Sequence, residues 1–174
     1  MSEEIEDIFK NLNKKERRKN TSKRQGNRGE NNLADVLNKR FPGQSFYRVL
    51  GSGNRWSQVK LNEEAMAFFT ADLNTPPNFV FAIECKYGYA DIDLCTAFPN
   101  GHKQIDEWLV KIKRDGDRVK KRPLLCWKKP YKPWLAFLQH IPEGCGNSFQ
   151  YNTWNIVALD KLLEQPDSFW FSTS

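Results

Sequence analysis

The feature that most limits what this chain can fold into is the run Phe79-Val80-Phe81-Ala82-Ile83-Glu84-Cys85-Lys86, an apolar strand that closes on a carboxylate and an ammonium. Side chains two residues apart share one face of a strand, so Glu84 and Lys86 point together while Cys85 turns back into the core. An acid and an amine side by side at the mouth of a buried sheet suit metal-dependent phosphodiester hydrolysis. The carboxylate holds a divalent cation, and the lysine positions or deprotonates the attacking water. Taken alone, the pair reads first as an ion pair at a strand end. Two observations weigh against that. No other Asp-x-Lys or Glu-x-Lys occurs in the 174 residues, and a second carboxylate, Asp72, precedes the pair by a hairpin's length.

Residues 65–73 read as another strand, and Asn74-Thr75-Pro76-Pro77-Asn78 is a turn that neither strand could absorb. Antiparallel pairing across that turn sets Asp72 beside Glu84, and two carboxylates from adjacent strands make a hard, oxygen-rich site that suits Mg²⁺ or Mn²⁺ better than zinc. Upstream, a helix over 30–41 carries apolar residues at 33, 36, 37 and 41 and stops at Pro42-Gly43. Glu30 precedes Leu33, Leu37 and Phe41 by three, seven and eleven positions, which puts it on the inward stripe and aims it at the Asp72/Glu84 end; Asn31, Asp35 and Asn38 take the wet face. A glutamate in a first turn also favours the helix dipole, by ~0.3–1 kcal/mol.

The remaining order is strand (46–50), helix (103–114), strand (123–128), strand (134–138), strand (154–158) and a short helix at 160–164. In the helix over 103–114, Ile105, Trp108, Leu109 and Ile112 fall at i, i+3, i+4 and i+7 and cover one face of a sheet. The predicted fold class is α/β: a mixed central sheet with helices on its faces and the carboxylates gathered at one edge.

Glu30 on a first helix, the segment Phe46 to Arg55, then Asp72, then Glu84-Cys85-Lys86 follow the order of the PD-(D/E)XK nucleases, and the chain resembles that superfamily. More narrowly it is similar to the archaeal-type Holliday junction resolvases, which share an arginine leading into a Gly-Ser-Gly loop, a helix like 104–111 and a strand like 122–128. The likeness runs from about residue 24 to 138. It implies a restriction-endonuclease-like core, with Glu30, Asp72 and Glu84 as metal ligands or orienting the attacking water and Lys86 beside the nucleophile. It places Ser52 and Arg48 near the scissile phosphate. Gly51 and Gly53 let the loop backbone approach DNA closely, with Asn54 and Arg55 following. The implied cofactor is Mg²⁺, with Mn²⁺ able to substitute. The implied protein is a homodimer that nicks branched DNA, above all four-way junctions. Nucleases of this fold that act on duplex ends or a defined sequence, and DNA-binding proteins that kept the fold without turnover, stay open beside it. Ala71 departs from the pattern, standing where the superfamily usually has proline, and the interval from Ser52 to Asp72 is longer than a minimal resolvase needs.

Charge agrees with a DNA partner. The chain carries +6, but residues 10–28 alone carry +8, the first nine residues −4 and residues 29–174 only +2. The chain therefore divides into a basic arm over 1–28, partly disordered or helical, and one nuclease domain over 29–174 with a C-terminal extension from about 139. The arm, through Lys23, Arg24 and Arg28, dominates the electrostatic footprint. The acidic start, with apolar residues at 5, 8, 9 and 12, has the spacing of a short amphipathic helix. A second basic cluster, Lys111, Lys113, Arg114, Arg118, Lys120, Lys121 and Arg122, and a third, Lys128-Lys129-Pro130-Tyr131-Lys132-Pro133-Trp134, suit phosphates, the last with rings placed for stacking. Both also read as solvated surface charge. With 39% apolar residues the chain supports a sizeable core, and no stretch approaches the ~20 apolar residues of a membrane span. A cytoplasmic or nucleoid-associated protein is expected. Cys85, Cys95, Cys126 and Cys145 lack CxxC spacing, which favours free thiols over disulfides or zinc.

Overall fold

Alternation along one strand decides the layering of the molecule. A computed structural model describes residues 3–49 and 71–172. Its elements are α1 (Glu3–Arg40), β1 (Tyr47–Arg48), β2 (Leu73–Asn74), β3 (Phe81–Tyr87), α2 (Leu94–Asn100), α3 (Lys103–Val119), β4 (Arg122–Lys128), β5 (Trp134–Leu138), β6 (Phe149–Tyr151), β7 (Trp154–Ala158), α4 (Leu159–Leu163) and α5 (Asp167–Trp170). Strands β3-β4-β5-β7-β6 form a mixed sheet in which β3 and β4 run parallel and the other pairs antiparallel. Phe81, Ile83 and Cys85 face one core layer with Leu33 and Leu37 of α1, Leu159 and Leu162 of α4, and Trp170. Ala82 faces the other layer, with Leu125, Trp127 and the α3 stripe Ile105, Trp108, Leu109 and Ile112. Burying each such side chain is worth ~1.5–3 kcal/mol, and both faces of the sheet are thereby covered. The fold is α/β, consistent with a restriction-endonuclease-like core.

Two glycines set how closely the helices approach the site. A Cβ on Gly29 would lie 2.2 Å from the Cβ of Tyr87, so α1 crosses the end of β3 at the residue next to Glu30. A Cβ on Gly116 would lie 2.8 Å from the Lys121 carbonyl oxygen, which brings the end of α3 against the start of β4. Helix α3 runs past the expected end at 114 to Val119, where Lys120 stops it in the left-handed region at φ 55°.

Several expectations change in detail. The helix foreseen over 30–41 is the last part of α1, which begins at Glu3. Asn38, expected on the wet face, clamps the chain after the helix: its Nδ2 donates to the Phe46 carbonyl at 2.8 Å and its Oδ1 accepts from the Phe46 N–H at 2.9 Å. The strand expected over 65–73 falls largely outside the described residues, and the described part, β2, forms its ladder with β1 rather than with β3. Helix α2 went unforeseen because Pro99 lies inside it, although Asp93 caps it by accepting from Cys95 N–H. The residues after 139 build into the main sheet through β7, beside β5, and Trp170 packs among Phe41, Phe79 and Phe81. All four cysteines are free, three of them buried. Among the described residues no helix is long and apolar enough to cross a membrane.

Candidate active site

β3 is the edge of the main sheet, so its outer N–H and C=O groups need partners from outside the ladder. Asp72 supplies them. Its backbone N–H donates to the Ile83 carbonyl at 3.1 Å, and its Oδ2 accepts from the Cys85 N–H at 2.8 Å. The adjacency expected from a hairpin is thus reached by a carboxylate capping a strand edge. Glu84 and Lys86 share the α3 side of β3, as their spacing requires, and Glu84 is 0% exposed.

The charges at this edge interlock. The Lys86 ammonium donates to Glu84 Oε1 and stands 3.9 Å from Asp72 Oδ2. The Lys111 ammonium, from α3, donates to Glu84 Oε2 and lies 3.1 Å from Asp115 Oδ2, one turn along the same helix. Glu30 approaches from α1, where its Oε2 accepts from Arg48 Nε at 2.5 Å. Burial, then the charge of Glu84, push the Asp72 carboxyl up to about 7 against Lys86, Lys111 and the Cys85 N–H. Burial pulls the Lys86 ammonium down, but the carboxylates of Glu84 and Asp72 outweigh it and hold Lys86 above the ordinary lysine value. Burial likewise raises Glu30, more than the Arg48 hydrogen bond and charge lower it.

Over residues 21–164 the chain matches the family described as "Phage putative PDDEXK endonuclease". The chain belongs to this PDDEXK family. Membership makes it a nuclease, a hydrolase of phosphodiester bonds, with DNA as the implied substrate. The chain is also 27% identical over 121 residues to Protein D14 of Escherichia phage T5, an alignment covering 67% of this chain and 70% of that protein. No solved structure matches it.

PDDEXK nucleases usually work with a divalent metal, and the donor chemistry here fits one. Asp72 and Glu84 are two buried carboxylates side by side, with Lys86 between them and Lys111 on the far oxygen of Glu84, and burial together with the charge of Glu84 raises Asp72. Among the described residues no three acids, histidines or cysteines gather into a cage. Two carboxylates completed by water and substrate phosphate are the usual Mg²⁺ complement, whereas zinc prefers a closed set of nitrogen and sulfur donors. Glu30 stands outside that pair, held by Arg48, although it lies near enough to feel the charges of Lys86 and Glu84.

Gly51, Ser52, Gly53, Asn54 and Arg55 lie outside the described residues. Lys23, Arg24 and Arg28 are exposed on α1. The basic cluster after residue 110 is less open than its composition suggests. Lys111 turns into the site, Lys113 pairs with Asp117 at 3.7 Å, and Lys121 donates to Thr75 Oγ1 at 3.0 Å. In the third cluster, Lys128 lies 5.7 Å from the Trp134 ring, while Lys129 lies 5.6 Å from the Trp127 ring and donates to the Ile92 carbonyl. Trp134 is buried core, not a stacking platform; Tyr131 is the exposed ring of that segment. Lys111 and Asp115 are site residues that sequence reasoning missed. Their signal was a buried-stripe neighbour, Ile112, beside a lysine whose i+4 partner is an acid.

Proposed function

We propose that this protein is a Mg²⁺-dependent endodeoxyribonuclease in which Asp72 and Glu84 hold the cation and Lys86 faces the reacting phosphate. The observation that carries the proposal is the Lys86 ammonium between the two buried carboxylates, Glu84 in contact and Asp72 at 3.9 Å. When bound, the cation supplies Lewis-acid stabilisation of phosphate charge and eases loss of a proton from the attacking water. Lys86, kept charged by Glu84 and Asp72, fits a proton donor and phosphate-positioning group better than a base. Glu30 and Arg48 form a paired flank: Glu30 orients water on the α1 side, and Arg48 is the cation nearest to a phosphate arriving there. Ser52 and the loop over 51–55 contact the DNA backbone, Lys23, Arg24 and Arg28 extend that contact along α1, and Lys128 and Lys129 border it.

The substrate assignment goes further, to a four-way junction nicked by a homodimer. Its support is the resemblance in residue order to junction resolvases, together with the geometric match between a two-fold dimer and a two-fold branched substrate. The experiment uses one set of oligonucleotides arranged as junction, fork, duplex and single strand, in Mg²⁺ and in Ca²⁺. Cleavage that requires Mg²⁺ and is lost in Lys86→Ala, with Mn²⁺ binding retained, supports the active-site assignment; an unchanged rate in Lys86→Ala refutes it. A junction preference of about a hundredfold in Ca²⁺ competition, ~2.7 kcal/mol, with paired symmetric nicks in Mg²⁺, supports the junction assignment. Equal competition by linear duplex rejects it and leaves the endonuclease standing.

A further inference from the structure

Glu84 has no free oxygen. One takes Lys86 and the other takes Lys111, and the residue is 0% exposed, so water does not complete its shell. Each oxygen keeps a second lone pair, but a divalent cation approaching either one meets an ammonium of like charge, so binding at Glu84 favours the departure of one ammonium. The two lysines differ in how easily they can leave. Lys86 is two residues along the same strand, lies between Glu84 and Asp72, and has a side chain 18% exposed. Lys111 arrives from the helix packed over this face of the sheet, is 39% exposed, and already has a second carboxylate 3.1 Å away in Asp115. Asp115 is itself buried, and its other oxygen faces Arg114 Nε only at 3.5 Å. A buried acid on a helix is costly unless paired, and Lys111 is its nearer partner.

We propose that Lys111 is a movable counter-ion of the metal site: it neutralises Glu84 while no divalent cation is bound, and passes wholly to Asp115, one helical turn away, when the cation binds. The proposal rests on Asp72 and Glu84 being the cation's ligands. Lys111 leaves without being stranded, because Asp115 is already within ion-pair distance. Its departure also removes one positive charge from beside the incoming cation. Lys111 is on this account a positioning residue that sets the affinity of the site for metal, and Asp115 is the acid that makes the transfer cheap.

The test is Mn²⁺ affinity of the full-length protein, by calorimetry or by the spin-resonance signal of free Mn²⁺, with urea unfolding in EDTA alongside. Lys111→Met removes the competitor and should bind Mn²⁺ about tenfold more tightly, ~1.4 kcal/mol, while unfolding more readily in EDTA. Asp115→Asn leaves Lys111 with Glu84 as its one strong partner and should bind Mn²⁺ several-fold more weakly. A purely structural Lys111 would lower stability and leave Mn²⁺ affinity unchanged, and that result overturns the proposal. Should Lys111→Met not fold without metal, Asp115→Asn decides the question, since unchanged affinity there overturns it equally. Wild-type protein that binds no Mn²⁺ would defeat the metal-ligand assignment itself, whereas wild-type binding with unchanged variants defeats the counter-ion alone.

Discussion

Asp72→Asn separates the charge of the site from its shape. Asparagine keeps an oxygen to accept from the Cys85 N–H, so the strand edge stays capped while the buried negative charge disappears. In the wild type, burial and Glu84 lift this carboxyl from 3.8 to about 7. At ~1.4 kcal/mol per pH unit, ionising Asp72 in the folded state costs at most ~4 kcal/mol. Local relaxation and water entry reduce such costs, so ~2–4 kcal/mol is the expected range. The sign follows from proton binding. With its folded value above its unfolded one, Asp72 contributes most below about pH 4, and that contribution is lost as the pH rises through about 7. In EDTA the wild type should therefore lose stability between about pH 4 and 8 relative to the variant. The variant should be the more stable protein near pH 8, and the two should converge near pH 4. Urea unfolding across that range, with fluorescence from the tryptophans, measures the difference. Adding Mg²⁺ near pH 8 should close most or all of that gap, since ligand at about a hundred times its dissociation constant adds ~2.7 kcal/mol to the wild type alone. Parallel pH profiles for the two proteins, or a variant less stable than wild type near pH 8 in EDTA, would refute the reasoning.

Glu84→Gln leaves Lys86 and Lys111 facing each other without their shared partner. It should destabilise the metal-free protein by ~3–5 kcal/mol and abolish cleavage while DNA binding in Ca²⁺ persists; full cleavage would remove Glu84 from the site. Gly29→Ala drives a Cβ into Tyr87 at 2.2 Å and should cost ~1–3 kcal/mol in thermal or urea unfolding. Gly26→Ala, three residues earlier with nothing within 4 Å, should be neutral or slightly stabilising in the same assay. Replacing Lys23, Arg24 and Arg28 together with alanine should lower the log-log salt slope of duplex binding by ~0.9 for each phosphate that these side chains neutralise. An unchanged slope would take this face of α1 away from the DNA.

The elements legible in the sequence were those whose hydrophobic period continued without interruption. β5 and β7 match their expected bounds, β4 matches to within a residue, and the stripe of α3 was visible residue by residue. The pairing of Glu84 and Lys86 on one face followed from period two alone. What could not be read was decided by contacts between distant segments. Asp72 reaches Glu84 as an edge cap, which a hairpin argument mimics without describing. Gly29 and Gly116 matter because another backbone or side chain lies against them, and nothing local distinguishes them from Gly26. Lys111 appeared as one more cation in a basic run, because a run of like charges hides which member faces inward.

That inward turn was nonetheless implied by two patterns taken together. Ala82 packs toward the α3 stripe, so Glu84 and Lys86, two and four residues on, must share that side of the sheet. A helix that covers this side presents the residues flanking its apolar stripe to whatever the strand displays there. Lys111 directly precedes the buried Ile112, and its long stem can run beside the stripe while its ammonium meets the carboxylate. Lysine's usual course from such a position is outward to water. Here a buried acid at the strand mouth reverses it, and the same acid draws Lys86 from the strand side. A carboxylate fully enclosed in a sheet thus selects its own cations from both neighbouring elements, and the metal site and the core packing around it become one electrostatic unit.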